Sequence, residues 1–182
     1  FGDSLRRVAA GTIAPAAGDQ CMSAPSSAAG APDDAHEVLQ QFFASGGSIR
    51  MLVDVDKQDM DTMFVFAGQL FDAGDWAAAR NVYFMLARID HWKFDYWFWL
   101  GICYQRLGQH DEAIFCLSRA GMIHIDDPRS SYHAGISYLV AGNLDYARKA
   151  FNAARNWCGE VPDHRALKAD IEQHLALCDQ EG

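Results

Sequence analysis

One spacing constrains this chain more than any other feature: the residues around Trp97 have counterparts 34 positions earlier and 34 positions later. The central copy reads Trp97, Leu100, Gly101, Tyr104, Gly108, Ala113, Leu117 and Ala120. The earlier copy reads Met63, Phe66, Ala67, Leu70, Gly74, Ala79, Tyr83 and Leu86. The later copy reads Ser131, Ala134, Gly135, Tyr138, Gly142, Ala147, Phe151 and Ala154. The series Gly74, Gly108, Gly142 and the series Ala79, Ala113, Ala147 keep register with no insertion. Each residue type has a steric job. Trp97, Leu100 and Tyr104 share one side of a helix. Gly108 ends that helix in the left-handed conformation that glycine adopts cheaply. Gly101 and Ala113 are small where two helices cross.

A helix pair of this pattern and period is the tetratricopeptide repeat. One such unit cannot bury its own apolar face, whereas three stacked units can. The fold class expected is therefore all-α: three tandem tetratricopeptide repeats (an α-solenoid) with an N-terminal helix and a C-terminal capping helix. Repeat helices are expected at 57–72, 76–89, 93–107, 110–123, 128–141 and 144–157. Asp56 starts the first, and Pro128 opens the fifth at a first-turn position where its missing N–H costs nothing. Gly159 and Pro162 break the sixth. A last helix over 163–178 places Leu167, Ile171, Leu175 and Cys178 on one face, suited to sealing the last repeat.

Ahead of the repeats, residues 1–32 are rich in Ala, Gly, Ser and Pro and read as flexible, and Met22 lies within them as an alternative start. Arg6-Arg7 and the short run after it, broken by Gly11 and Pro15, make a poor export signal. Asp33-Asp34 cap a helix over 35–44 that carries Val38, Leu39, Phe42 and Phe43, and Ser45-Gly46-Gly47-Ser48 stops it. Ile49, Met51, Leu52, Val53 and Val55 form an apolar connector. The expected organisation is thus a flexible segment (1–32), N-terminal helix and connector (33–59), three repeats (60–159), and capping helix with tail (160–182).

The formal charge of −9 argues against nucleic acid or an anionic membrane as the main partner. No apolar run is long enough to span a bilayer. The five cysteines are odd in number, show no C-x-x-C spacing, and read as buried reduced thiols. The seven histidines lack metal-ligand spacing, and no phosphate loop or nucleophile elbow is present, so neither cofactor nor metal is expected, and an enzyme is not. His91 beside Asp90, and His124 near Asp126 and Asp127, read as helix-end caps.

The informative surface is the concave face, lined by the first helix of each pair. Positions 2, 5, 9 and 12 of each unit point there, counted from Met60, Phe94 and Pro128. The rows are Asp61, Phe64, Gly68, Phe71; Asp95, Phe98, Ile102, Gln105; and Arg129, Tyr132, Ile136, Leu139. So apolar a lining points to a peptide-binding groove made by Phe64, Gly68, Phe71, Phe98, Ile102, Gln105, Tyr132, Ile136 and Leu139. A general repeat adaptor that binds a peptide terminus would present Lys, Arg and Asn clamps. These rows carry one basic residue, Arg129.

From Phe42 to Cys178 the sequence resembles the class II chaperones of type III secretion, tetratricopeptide proteins that hold translocators. The resemblance rests on Phe43-Ala44-Ser45-Gly46-Gly47-Ser48-Ile49, on Leu86-Ala87-Arg88-Ile89-Asp90-His91-Trp92, on Tyr96 through Gln105 with Ala113-Ile114, on Pro128, His133-Ala134-Gly135 and Gly142, and on Trp157-Cys158-Gly159-Glu160-Val161. It implies a cytoplasmic chaperone of a Gram-negative bacterium that binds hydrophobic translocator proteins before export, partly through an extended Pro-containing segment in the groove. By family analogy it also implies self-association, with Val38, Leu39 and Phe42 as contacts, and a transcriptional regulator as a further partner. The family often has an aromatic residue where this chain has Gly68.

Overall fold

The computed structural model describes residues 32–53, 55–159 and 164–180. The expected flexible segment, with Cys21 and Met22, lies outside them apart from Pro32. Among the described residues every regular element is an α-helix. The chain divides into two compact units, Phe1–Leu39 and Gln40–Gly182. The described part of the first is the opening of helix α1 (Pro32–Ala44), where Val38 and Leu39 are exposed. Asp33 and Asp34, expected as caps, lie inside α1, because Pro32 is tolerated in a first turn and the helix starts there.

In the second unit α1 ends on the glycine pair. Gly46 has φ +90°, and the Gly47 N–H donates to the Phe42 carbonyl at 3.0 Å. The connector contains one helical turn, α2 (Ile49–Leu52). Two contacts tie it to the junction of the first two repeats. The Trp92 Nε1–H donates to the Gly46 carbonyl at 2.8 Å, and Arg50 pairs with Asp90 at 3.0 Å.

Three helix pairs follow: α3 (Lys57–Asp72) with α4 (Trp76–Ile89), α5 (Phe94–Arg106) with α6 (His110–Ile123), and α7 (Pro128–Val140) with α8 (Leu144–Cys158). Their first helices end alike. Gly74, Gly108 and Gly142 have φ of +83°, +73° and +76°. The next residue's N–H reaches back five positions, Asp75 to Leu70, Gln109 to Tyr104 and Asn143 to Tyr138, at 2.8–3.0 Å. These bonds satisfy carbonyls that the helix end leaves over. At the N-termini, the carboxylates of Asp56, Asp75 and Asp127 accept from the N–H of Gln58, Ala78 and Arg129.

The core follows the repeat. Ala79, Ala113 and Ala147 are fully buried, and Tyr83, Leu117 and Phe151 are at most 2% exposed. Leu100 of the second repeat packs into the cluster of Tyr83, Leu86 and Ala87 from the first. Its counterpart Phe66 is 51% exposed, since the first repeat has no earlier repeat to pack upon. The final helix, α9 (Arg165–Gln180), closes the other end. Ile171, Leu175 and Cys178 join Ala147, Phe151, Ala154 and Cys158 in one buried cluster, with Leu167 at its edge. Burial pushes the Cys103 and Cys116 thiols up to about 12, against the pull of Arg80 at Cys103 and with reinforcement from Glu112 at Cys116. Among the described residues no helix is long and apolar enough to cross a membrane.

Candidate functional site

Helices α3, α5 and α7 each present positions 5, 9 and 12 of their repeat on one side, since these residues are spaced by four and three. Phe64 is half-buried, with its ring 5.6 Å from Tyr83 and 5.7 Å from Tyr96. Tyr132 is half-buried against His133, Phe151 and His174, at 5.2, 6.0 and 5.7 Å. Phe71 meets Trp99 edge-on at 5.4 Å. Ile136 and Leu139 are half-buried against the last core cluster. These residues keep part of their apolar surface available.

The central repeat differs. Phe98 and Ile102, expected to line an open groove, are 5% and 7% exposed and belong to the core cluster with Leu117 and Ala120. The Phe98 ring stacks on Phe94 at 5.5 Å and meets Trp99 and His133 edge-on. The physical reason is position: the central repeat is covered by a neighbour on each side. Gln105 is also engaged, for its Nε2 donates to the His133 carbonyl at 2.6 Å and to Ser137 Oγ at 2.7 Å, bridging α5 to α7.

Gly68 stands where the other repeats carry Ile102 and Ile136, and leaves open space beside Phe64 and Phe71. The expected self-association contacts lie on α1: Val38 and Leu39 are 65% and 43% exposed, while the Phe42 ring is half-buried over Gly47.

The cation beside the central row is held by a neighbouring carboxylate. Asp127 accepts from Arg129 Nη2 at 2.6 Å and from Nε at 3.0 Å. Burial works against its ionisation, yet the hydrogen bonds from Arg129 hold the Asp127 carboxyl below its ordinary range. The same guanidinium lies 5.1 Å from the Phe98 ring and 5.3 Å from Phe94. Burial, with Arg106 and Arg129 nearby, brings the His133 imidazole down to about 4. The unfolded chain therefore takes up this proton first. Stability is expected to be complete above about 6.5 and to fall as pH drops from there towards 4. Urea midpoints of the parent and of His133→Gln across that window check this. An equally steep fall in both would assign the acid sensitivity elsewhere.

Spacing alone marks two residues that the row at position 5 leaves out. Trp99 and His133 share position 6 of their repeats and link neighbouring aromatic rows, Trp99 by touching Phe71, Tyr83 and Phe98 together. The second-helix side carries a separate depression of about 540 Å³, lined by Phe84, Trp97, Leu100, Tyr104 and Phe115 with Arg88, Asp111 and Glu112 among its charged residues. Among the described residues no three His, Cys, Asp or Glu side chains come together to hold a metal ion.

Comparison with known proteins places this architecture. The tetratricopeptide repeat family matches residues 94–124. Low calcium response locus protein H of Yersinia pseudotuberculosis is 26% identical over 137 residues, covering 75% of this chain and 82% of that protein. Among solved structures, a chain of a type III secretion system (T3SS) complex from Aeromonas hydrophila superposes with a TM-score of 0.77 at 26% identity, covering 80% of this chain and 97% of that one. PcrH of Pseudomonas aeruginosa, in complex with the chaperone binding region of PopD, superposes with a TM-score of 0.68 at 28% identity, covering 70% and 96%.

Proposed function

We propose that this chain is a class II chaperone of type III secretion, which binds hydrophobic translocator proteins in the bacterial cytoplasm and keeps them from aggregating before export. One observation carries the reading. The aromatic face of α3, α5 and α7 stands on a fold that superposes on PcrH over nearly all of PcrH's length, and PcrH is solved holding the chaperone binding region of a client, PopD. The physics is coherent with that role. A translocator carries apolar segments meant for a membrane, and in water these drive aggregation. A face of half-buried rings can cover such a segment and release it, with binding energy as the only energy source. Phe64, Phe71, Tyr132, Ile136 and Leu139 are the side chains that retain surface for this contact.

The alternative, a general adaptor that clamps a peptide carboxylate, fits less well. Its required cation on this face is Arg129, and that guanidinium is already bound by Asp127.

Co-expression with the translocators encoded in the same genome is expected to yield a soluble complex that survives gel filtration. Phe64→Ala should weaken that complex at least tenfold, about 2 kcal/mol, as truncation of an anchoring aromatic commonly does. Translocators that stay insoluble with and without this chain would sink the chaperone reading. A complex indifferent to Phe64→Ala would move the contact to another face.

A further inference from the structure

The first repeat differs from the other two at two places that touch each other. On the first helix, position 9 is Gly68, where the other repeats carry Ile102 and Ile136. On the second helix, the residue facing it is Tyr83, whose counterparts Leu117 and Phe151 have no hydroxyl. A Cβ built on Gly68 would have one near neighbour, the Tyr83 Oη, at 3.7 Å. The one repeat with a hydroxyl at this place on its second helix is thus the one whose first helix leaves that hydroxyl uncovered.

Tyr83 is 2% exposed, and its hydroxyl makes no hydrogen bond to another described residue, yet it is not among the polar atoms sealed from solvent without a partner, so it keeps a small open surface. A phenol with an open edge of this kind is free to donate to an incoming acceptor. Its surroundings are aromatic: Phe64 lies edge-on at 5.6 Å and Trp99 is stacked at 6.4 Å. Phe64 and Phe71 stand four residues before and three residues after Gly68, on the same side of α3. The result is a notch the width of one missing side chain, with aromatic walls and an unused donor at its floor. Burial first, then Cys103 and Asp72, raise the phenol above its ordinary range, so it keeps its proton.

We propose that Gly68 and Tyr83 form a socket in the first repeat that takes a backbone carbonyl of the bound translocator segment, with the Tyr83 Oη–H donating to it and Phe64 and Phe71 flanking the residue that carries it. The proposal rests on the chaperone reading and adds to it a polar anchor point. A carbonyl oxygen resting on the bare Gly68 Cα at van der Waals distance stands beyond the Cβ position, and the Tyr83 hydroxyl, 3.7 Å from that position, is the one side-chain group near it. A neutral carbonyl suits the site better than a carboxylate, because the side chain of Asp72 already acts on this phenol and the whole chain carries −9. An extended segment offers such carbonyls at regular intervals, whatever its side chains.

The probe is a synthetic peptide of the translocator segment that the parent chain protects from proteolysis in the co-purified complex. Affinity by calorimetry and Tm are read on the parent, Tyr83→Phe, Gly68→Ala and the double variant. Tyr83→Phe removes a hydroxyl that makes no bond in the free chain, so Tm should hold while affinity falls about three- to tenfold. Gly68→Ala fits the space and favours helix, so Tm should rise by about 2–4 °C while affinity falls about tenfold or more. The methyl group that Gly68→Ala introduces covers the hydroxyl, so adding Tyr83→Phe to that variant should change affinity no further. Full affinity in both single variants overturns the socket and leaves the chaperone reading standing, since the parent still binds. Lost affinity in Gly68→Ala alone overturns the hydroxyl's part in it. A parent chain that holds no translocator removes the chaperone reading and the socket with it.

Discussion

Phe98→Ala is expected to lower the free energy of unfolding by about 3–5 kcal/mol, the usual cost of deleting a buried aromatic side chain. Phe98 is 5% exposed, and it is held by rings on three sides: Phe94, Trp99 and His133. The Arg129 guanidinium also lies 5.1 Å from its ring. Removing the side chain leaves a cavity between the second and third repeats, whose helices α5 and α7 are also tied at their present spacing by the Gln105 bridge. Urea denaturation of the variant measures this directly. Client affinity of the folded fraction, measured alongside, separates two roles. An open groove anchor would leave unfolding unchanged and weaken binding tenfold or more; a core residue does the reverse, and the burial of Phe98 predicts the core behaviour.

Ala113→Leu is expected to cost about 1–3 kcal/mol or more, by forcing extra atoms into a filled helix crossing. Ala113 is wholly buried, and its carbonyl oxygen would be 3.4 Å from a Cβ on Gly101. That same Cβ would meet Leu117 Cγ at 2.8 Å and Cδ2 at 3.0 Å. The third repeat is as tight, for a Cβ on Gly135 would stand 2.6 Å from the Phe151 ring. Gly101→Ala and Gly135→Ala should therefore both lower Tm, opposite in sign to Gly68→Ala. A scan of these substitutions by thermal unfolding checks the set. An Ala113→Leu chain as stable as the parent would mean that α5 and α6 do not cross at Ala113.

The number, order and register of the helices from α3 to α9 are legible in the residue pattern alone. The cause is local: glycine at a left-handed turn, aspartate at an N-terminus and apolar side chains at helical spacing act within a few residues of each other. Repetition then multiplies each local signal by three. The two places where local signals mislead are telling. Asp33 and Asp34 are good caps, but Pro32 allows an earlier start. The apolar connector shows no repeat; its single turn α2 is held through Arg50 by Asp90, and the glycine pair just before it is held through Gly46 by Trp92, forty or more positions away.

Which residues of the apolar face remain accessible emerges from the packing of the repeats on one another. Phe64, Phe98 and Tyr132 hold the same place in the repeat, yet Phe98 is sealed and the other two are half open. Burial is a property of what stands on either side, and identical positions in a finite stack have different neighbours. The same reason leaves Phe66 exposed while Leu100 is buried. It also set the roles of the polar groups: Gln105 became a bridge, Arg129 the partner of Asp127, and the Tyr83 hydroxyl an unused donor beneath Gly68. None of these follows from spacing, because each depends on what the surrounding chain places beside it in three dimensions.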